Sequence, residues 1–326
     1  MFFIHLNILK NSKRSYSSLT NPLDNSLSNL NPWYFTGFSD GESNFTVRIS
    51  QKNSTNIGWV VQPVFQICLH KKDFNLLEEI RTFLGVGEIY NHQKESCNYV
   101  VQSLKGIKVI VDHFKKYPLL TKKREDFELF AQIVTLIEKK EHLTLSGLHE
   151  IISLKASMNL GLPSYLKIAF PDITPAMRPK RSDEELLNSN IDPNWMVGFT
   201  AGEGCFSIRI TEIKAVKVGY QVQLRFNITQ HSKDKALIDS FVKFWGCGKV
   251  YSRSKENKVD FQIIKFNDLC DKVVPLFQRI PIQGEKSKDF SDFCKAIEIM
   301  KTKEHLTNKG LDKIRKLKMG MNKGRK

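Results

Sequence analysis

The chain has 326 residues, of which 41% are hydrophobic and 10% aromatic, so it can fold as one large domain or two ordinary ones. These values exclude an intrinsically disordered chain. The formal net charge of +16 indicates a polyanionic partner, with an anionic membrane surface as the weaker alternative. No uninterrupted apolar run approaches the length of a membrane span, and we predict a partner other than a membrane.

The first 23 residues contain three basic residues (Lys10, Lys13 and Arg14), four serines and no acidic residue. This composition resembles that of an organelle transit peptide. A disordered leader left by an upstream reading frame has the same composition and stays open as the alternative. We therefore separate residues 1–29 from the folded part as a leader that is either disordered or used in targeting.

The cysteines do not occur in a CxxC or Cys/His ligand spacing. They are Cys68, Cys97, Cys205, Cys247, Cys270 and Cys294. The pattern predicts a reducing compartment and buried thiols rather than disulfides or a zinc site.

The folded part is an internal repeat of about 130 residues. The stretch NPWYFTGFSDGESNF at 31–45 has the same plan as DPNWMVGFTAGEGCF at 192–206. Pairs related by 161 positions are Pro32 and Pro193, Tyr34 and Trp195, Gly37 and Gly198, Glu42 and Glu203, Phe45 and Phe206, Arg48 and Arg209, His70 and His231, and Asp73 and Asp234. After a two-residue insertion the offset becomes 163, and KEHLT at 140–144 then aligns with KEHLT at 303–307. The similarity indicates a duplicated gene.

Each repeat predicts the same order of elements. Asn31 and Asp192 are N-caps followed by proline at the first position of a helix. In the first repeat we predict strands at 44–52 and 60–69, a helix near 73–84 and two strands around a turn at 93–96. Helices are predicted at 106–116 and 123–139, and a last helix begins near Thr144. The order is αββαββα with a tail helix, which makes an α+β protein with two antiparallel four-stranded sheets.

These elements divide the chain into two repeats and a connection. The N-terminal repeat covers 30–160, and the C-terminal repeat covers 191–326. Residues 161–190 are rich in proline and charge and are predicted to be the linker.

Polar and apolar side chains alternate along the predicted strands, so each strand has one polar face and one apolar face. Arginine pairs with guanine, and glutamine or asparagine with adenine, in the major groove, so we interpret the polar faces as DNA-reading surfaces. A solvated strand face is the alternative for any single residue. In the first repeat the predicted contacts are Thr46, Arg48, Ser50, Lys52, Gln62, Gln66, Cys68, Tyr90, His92, Asn98 and Gln102. In the second they are Ser207, Arg209, Thr211, Gln221, Gln223, Arg225, Asn227, Thr229, Lys249, Tyr251, Arg253, Lys258, Asp260 and Gln262.

Each motif helix has two glycines four residues apart and ends in an acid. Such glycines let another backbone approach closely, so the two helices are predicted to pack against each other and bring Glu42 and Glu203 together. Two carboxylates at helix C-termini repel each other and the helix dipoles, and Mg²⁺ relieves this repulsion. Carboxylates, metal and a bound phosphodiester are the components of metal-assisted strand hydrolysis. A pair of capping or solvated glutamates is the alternative.

The nonapeptides FTGFSDGES (35–43) and MVGFTAGEG (196–204) resemble the LAGLIDADG signature of homing endonucleases. The resemblance is to the single-chain, two-repeat form typical of mitochondrial introns, close to the I-OnuI group, and covers about 30–326. It implies a saddle of two sheets on the DNA major groove, about a pseudo-two-fold helix pair. It also implies mitochondrial localisation and a monomer that cuts both strands across the minor groove and leaves short 3′ overhangs.

The resemblance further implies roles for particular residues. Glu42 and Glu203 become catalytic acids and ligands of Mg²⁺, with the carbonyls of Gly41 and Gly202 as further ligands, and Mn²⁺ or Ca²⁺ can substitute for binding. Basic residues near the scissile phosphates correspond to Lys123 and Lys286, which lie in a shared Pro-x₄-Lys-x-x-Asp-Phe frame. Gln230 is assigned to positioning water or phosphate, and its counterpart Leu69 is left out. We predict that His70 and His231 cap the turns that follow them rather than bind metal.

Two departures from the signature leave the acid positions unchanged: Ser43 stands in place of glycine, and Ala201 in place of an acid. Three functions stay open. They are a site-specific DNA endonuclease, an RNA maturase that acts on its host intron, and a DNA-binding relic without cleavage. Both acids and both lysines are present, which argues against the relic.

Overall fold

The computed structural model describes residues 30–188, 190–215 and 217–325. The N-terminal repeat consists of α1 (Pro32–Glu42), β1 (Ser43–Gln51), β2 (Trp59–His70), α2 (Phe74–Leu84), β3 (Glu88–Gln93), β4 (Ser96–Val101), α3 (Leu104–Lys116), α4 (Lys123–Glu138) and α5 (Leu145–Ala156). Two short helices follow, α6 (Ser164–Ala169) and α7 (Asp183–Asn188). The predicted order αββαββα with a tail helix is confirmed, and the two sheets make this an α+β fold.

The C-terminal repeat has the same order with one local difference. It consists of α8 (Pro193–Glu203), β5 (Gly204–Glu212), β6 (Tyr220–His231), α9 (Lys235–Trp245), β7 (Lys249–Arg253), β8 (Lys258–Ile263), α10 (Phe266–Asp268), α11 (Val274–Arg279), α12 (Lys286–Lys301) and α13 (Asn308–Met319). A π-helical turn, Leu269–Val273, joins α10 to α11 where α3 of the first repeat is continuous. Pro275 explains the difference, because proline has no N–H for the regular helical hydrogen bond.

The strands form two antiparallel sheets with the orders β1-β2-β4-β3 and β5-β6-β8-β7. In the first sheet Phe45 faces inward and packs against Phe114 of α3 and against Phe127 and Phe130 of α4. The second sheet uses Phe206 in the same way, against aromatic rings of α11 and α12. Helices therefore cover one face of each sheet and leave the opposite face open.

The two repeats meet where α1 crosses α8. A Cβ atom added to Gly37 would lie 2.0 Å from the carbonyl oxygen of Trp195, and one added to Gly198 would lie 2.0 Å from the carbonyl oxygen of Tyr34. Only glycine allows this approach, since real Cβ atoms do not come so near a backbone oxygen. The predicted packing of the two glycine stripes is confirmed, and it brings the C-terminal ends of the motif helices together.

Several predictions differ from the structure or lie outside it. The cysteine prediction is wrong in part, because Cys68 is exposed and only Cys97 is fully buried, although all six cysteines are free as predicted. Cys68 is exposed because it lies on the open face of β2. The predicted linker 161–190 contains the two short helices α6 and α7. The leader prediction falls on residues outside the described part of the chain. Within that part, no helix is long and apolar enough to cross a bilayer.

Candidate active site

The acids Glu42 and Glu203 lie beside each other at the ends of α1 and α8. A Cβ atom on Gly202 would lie 3.3 Å from Cγ of Glu42, and one on Gly41 would lie 3.2 Å from Cγ of Glu203. Each acid thus lies against the backbone of the opposite helix. Burial raises the pKa of the Glu42 carboxyl, and burial together with the charge of Glu42 raises the pKa of Glu203. The arrangement favours a cation between the two carboxylates.

Lys123 and Lys286, each the first residue of its helix, reach the ends of the motif helices. Nζ of Lys123 donates to the carbonyl oxygens of Ser39 at 2.8 Å, Gly41 at 3.2 Å and Ser43 at 2.6 Å. Nζ of Lys286 donates to the carbonyls of Gly202 at 2.8 Å and Gly204 at 2.7 Å. A lysine at a helix C-terminus bonds otherwise unpaired carbonyls and complements the helix dipole.

Burial lowers the pKa of both lysines. The pKa of Lys123 falls to about 8, although Asp40, Glu203 and Glu42 oppose the fall. The pKa of Lys286 also falls, with Glu42 the largest opposing charge. The two acids and the two lysines therefore form one electrostatically coupled cluster, as their repeated positions in the sequence suggested.

Gln230 lies beside Glu203, where its side chain opposes the rise in the pKa of the carboxyl. Its Oε1 accepts a hydrogen bond from the backbone N–H of His231 at 3.2 Å. The corresponding residue of the first repeat is Leu69, which has no hydrogen-bonding side chain. The two halves of the cluster are therefore chemically different.

Sequence reasoning gave no role to Asp40, which lies two residues before the end of α1. Its buried carboxylate accepts hydrogen bonds from the backbone N–H of Leu120 at 2.9 Å, from the Thr121 hydroxyl at 2.6 Å and from Nε1 of Trp195 at 2.8 Å. Asp40 thus ties the loop before Lys123 to both motif helices. The acid at position 6 of the motif, missing at Ala201, was the sequence signal for this role.

The two histidines have the structural role that was predicted. Nδ1 of His70 accepts a hydrogen bond from the backbone N–H of Lys72 at 3.1 Å, and Nδ1 of His231 accepts one from Lys233 at 3.1 Å. Each histidine caps the short 3₁₀ turn that follows its strand. This prediction is confirmed.

The predicted DNA contacts lie on the open faces of the sheets. In β1 the exposed or half-buried Thr46, Arg48 and Ser50 alternate with buried core residues. The same alternation runs along β2, β4, β5, β6 and β8. Lys52 and Gln102 lie one residue beyond their strands. The structure therefore gathers these side chains on two surfaces, one on each repeat, away from the helices.

Asp260 differs from the rest of this set because it is only 5% exposed. It accepts hydrogen bonds from the Thr229 hydroxyl at 2.6 Å and from Nη2 of Arg253 at 2.6 Å. The DNA contact by Asp260 stays a prediction, and in the structure the carboxylate is paired and holds Arg253 on the open face. A buried carboxylate keeps its charge only with such partners.

The oxygen donors of the cluster decide whether it fits a divalent cation. Within the described ranges no group of three His, Cys, Asp or Glu side chains is arranged to hold a metal. The carboxylates of Glu42 and Glu203 are nevertheless close, half-buried and mutually repelling, and they are hard oxygen donors of the kind that Mg²⁺ and Ca²⁺ prefer. The carbonyls of Gly41 and Gly202 each keep a second lone pair beside the lysine hydrogen bond. The donor set fits a divalent cation that is completed by ligand oxygens and water.

Comparison with known proteins shows which family has this arrangement of motif helices. The family model described as LAGLIDADG endonuclease matches residues 35–134 and 196–297, once in each repeat. The chain belongs to the LAGLIDADG endonuclease family. The motif helices of that family are α1 and α8 here.

Relatives of this LAGLIDADG chain include intron-encoded and structurally solved proteins. It is 38% identical over 292 residues to probable intron-encoded endonuclease 3 of Neurospora crassa. The matched region makes up 89% of this chain but only 54% of that protein. It matches a crystal structure of the LAGLIDADG homing endonuclease I-SmaMI bound to cleaved DNA, with a TM-score of 0.87 and 40% identity over 91% of this chain and 98% of that one. It also matches I-SmaMI bound to an uncleaved DNA target in the presence of calcium ions, with a TM-score of 0.86 and 40% identity. This match covers 90% of this chain and 99% of that one. The chain thus spans about half the length of this curated relative and nearly the full length of the solved one.

Proposed function

We propose that the protein is a site-specific DNA endonuclease that recognises one long, non-palindromic duplex and hydrolyses both of its strands with a divalent metal. The observation that carries the proposal is the pair Glu42 and Glu203, which lie half-buried beside each other at the ends of the crossing helices between two open polar sheet faces. The solved relative I-SmaMI, whose structures contain cleaved or uncleaved DNA, matches this chain over nearly its full length, which supports this function for the shared fold.

Recognition is assigned to the open faces of the two sheets. Their side chains differ between the repeats, for example Gln66 against Asn227 and Ser50 against Thr211, so the two half-sites differ in sequence. One chain supplies both faces, which makes a monomer sufficient for the whole site. The net charge of +16 attracts the phosphate backbone.

For the chemical step, Glu42 and Glu203 with the carbonyls of Gly41 and Gly202 would hold Mg²⁺. The metal, when bound, would supply Lewis acidity and lower the pKa of water. Lys123 and Lys286 place an ammonium group beside the helix ends, where it stabilises the charge that develops on the phosphate. Gln230, beside Glu203, positions water or phosphate. Cleavage across the minor groove leaves short 3′ overhangs.

We assign the protein to mitochondria, on the composition of residues 1–29 and the intron-encoded name of the Neurospora relative. Double-stranded DNA is the assigned partner. The region of the Neurospora relative that matches this chain is 54% of that protein, so the relative's localisation and partners enter here as proposals.

The proposal is tested by selecting cleaved molecules from a randomised duplex library with Mg²⁺ present and sequencing their ends. We expect one long asymmetric consensus and 3′ overhangs of constant length. The matched control is the Glu42→Gln, Glu203→Gln double variant, which should release no ends. If the wild-type protein bound only structured RNA, or bound duplex DNA and never cut it, the maturase or the relic would be the better description.

A further inference from the structure

The helices that carry the two lysines each begin on an aspartate from the opposite repeat. The backbone N–H of Glu285, one residue before Lys286, donates to Oδ1 of Asp73 at 2.7 Å. The backbone N–H of Lys122, one residue before Lys123, donates to Oδ1 of Asp234 at 2.6 Å. The two contacts are related by the pseudo-two-fold axis, and each crosses from one repeat to the other.

Each aspartate also stands at the N-cap of its own helix, where its side chain would ordinarily accept from that helix. Within the described part of the chain, neither side chain makes such a bond: Asp73 leaves the first turn of α2 uncapped, and Asp234 leaves that of α9 uncapped. Both carboxylates instead reach the other repeat. A local capping role therefore does not account for them.

The turns that carry these aspartates are held firmly. β2 ends at His70 and β6 at His231, and each histidine caps the 3₁₀ turn that includes the aspartate, as shown above. The aspartates thus lie three residues beyond strands whose open faces are assigned to DNA contact. A reading strand in one repeat is connected, through one capped turn and one hydrogen bond, to the lysine of the other.

We infer that Asp73 and Asp234 are positioning residues, which place Lys286 and Lys123 for cleavage from across the repeat boundary. The inference rests on the proposed function, since it needs the lysines to act in the chemistry. The carboxylate fixes the backbone one residue before the lysine, and the lysine Nζ is fixed at the far end by the carbonyls of the motif helix. Removing the carboxylate releases one of these two anchors. It also leaves a helix-start N–H without its acceptor.

The two aspartates differ in their surroundings, which decides how the inference is tested. Asp234 is 2% exposed and lies near the buried guanidinium of Arg181, so its replacement would disturb folding. Asp73 is half-buried and borders a cavity of about 480 Å³ that also contains Glu42 and Lys286. Asp73 is therefore the better position for substitution.

The experiment measures the cleavage rate of each strand separately, on a duplex of the selected target labelled differently at its two 5′ ends. Lys286→Met first defines the strand that depends on Lys286, and Lys123→Met defines the other. We expect Asp73→Ala to slow the Lys286-dependent strand by roughly tenfold to a hundredfold, the range that small misplacements cost, and to spare the other strand. Asp73→Asn keeps an acceptor oxygen and should restore the rate.

Two further measurements separate positioning from folding. The double variant Asp73→Ala, Lys286→Met should be no slower than Lys286→Met alone, because the lysine is then absent. Melting temperatures are recorded for every variant. If Asp73→Ala does not fold, Asp73→Ser replaces it, since serine is shorter by one bond and cannot reach Glu285 from the same backbone.

The outcomes distinguish the proposed role of Lys286 in cleavage from the positioning role of Asp73. If Lys286→Met slows neither strand, the proposed role of the lysine is wrong and the positioning role falls with it. If Lys286→Met slows one strand but Asp73→Ala slows both equally, or slows the Lys123-dependent strand, the lysine role stands and the cross-repeat positioning is overturned. Equal loss in Asp73→Asn and Asp73→Ala would also overturn it.

Discussion

Lys286 donates a hydrogen bond of 2.8 Å from Nζ to the carbonyl oxygen of Gly202, the residue immediately before Glu203. The contact joins the first residue of α12 to the last turn of α8. It holds an ammonium group against the acid that would bind metal, in a position where burial lowers the lysine pKa. Lys123 makes the corresponding contact with Gly41 in the other half.

We expect Lys123→Met and Lys286→Met each to slow cleavage by roughly a hundredfold, the usual loss when one preorganised donor to the transition state is removed. Affinity should change little, because one phosphate contact among many contributes a small share of binding. Gln230→Ala is the matched comparison and should slow cleavage less, since water can replace part of a neutral side chain. The assay follows nicked and linear forms of a supercoiled plasmid that carries the target. Proportional loss of binding and cleavage would show that the lysines are simple DNA contacts.

Glu42→Gln or Glu203→Gln should abolish double-strand cleavage with Mg²⁺ and leave specific binding in place. The amide has nearly the same shape as the carboxylate but lacks the charge that holds a hard cation. Cleavage is measured on the plasmid and binding by gel shift with Ca²⁺. Either variant cutting both strands at near the wild-type rate would contradict the assignment of the two acids.

Gly37→Ala should lower the free energy of unfolding by about 3 kcal/mol or more, because the new methyl group overlaps a backbone oxygen at the helix crossing. The matched control is Gly320→Ala, where the nearest atom to the added carbon is 3.6 Å away. Urea unfolding followed by circular dichroism measures both. Equal stability of the two variants would show that the helices can separate at little cost.

Stability should fall in acid through His113. Burial lowers the pKa of His113 to about 4 in the folded protein, where its ring packs on Phe35 and Phe114 and contacts the Thr36 hydroxyl. The unfolded chain takes up this proton near pH 6.5, so the stabilisation is complete above pH 6.5 and is lost as the pH falls towards 4. The loss is on the order of 3 kcal/mol.

The measurement for His113 is the midpoint of urea unfolding between pH 7.5 and 4.5. His113→Leu, which copies Leu276 at the corresponding place of the other repeat, should remove most of the dependence. His92→Leu, at an exposed position, is the control and should keep it. An unchanged pH profile in His113→Leu would assign the acid sensitivity to other groups.

The protein should bind its target as a monomer, since one chain supplies both reading faces. Binding should weaken steeply with salt, and a protein that neutralises about eight phosphates would show a log–log slope near −7. Analytical ultracentrifugation of the complex and titrations between 50 and 200 mM salt, roughly the range over which such contacts are lost, measure the two properties. An obligate dimer on DNA would contradict the single-chain assignment.

Much of the fold and the cluster could be predicted because the information is periodic or repeated. Strand alternation around Phe45 predicted which face of β1 is buried, and the N-caps at Asn31 and Asp192 predicted where the motif helices begin. Glu42, Glu203 and the two lysines stand at constant offsets in two copies, so each copy supported the other. Because of the duplication, the role of a single residue could be predicted from its counterpart in the other repeat.

The sequence by itself determined the αββαββα order, the crossing of two glycine stripes and the pairing of the acids, because these follow from local periodicity and from comparing one repeat with the other. Only the tertiary structure decided that Asp40 bonds Trp195, that Asp260 is buried, and that Asp73 reaches Glu285. These contacts join residues far apart in the chain, and no local pattern identifies the partner of each side chain, even where the motif marks the acid itself, as at Asp40. The sequence around Asp73 is the same whether its side chain caps its own helix or that of the opposite repeat. Packing around the helix crossing makes the choice.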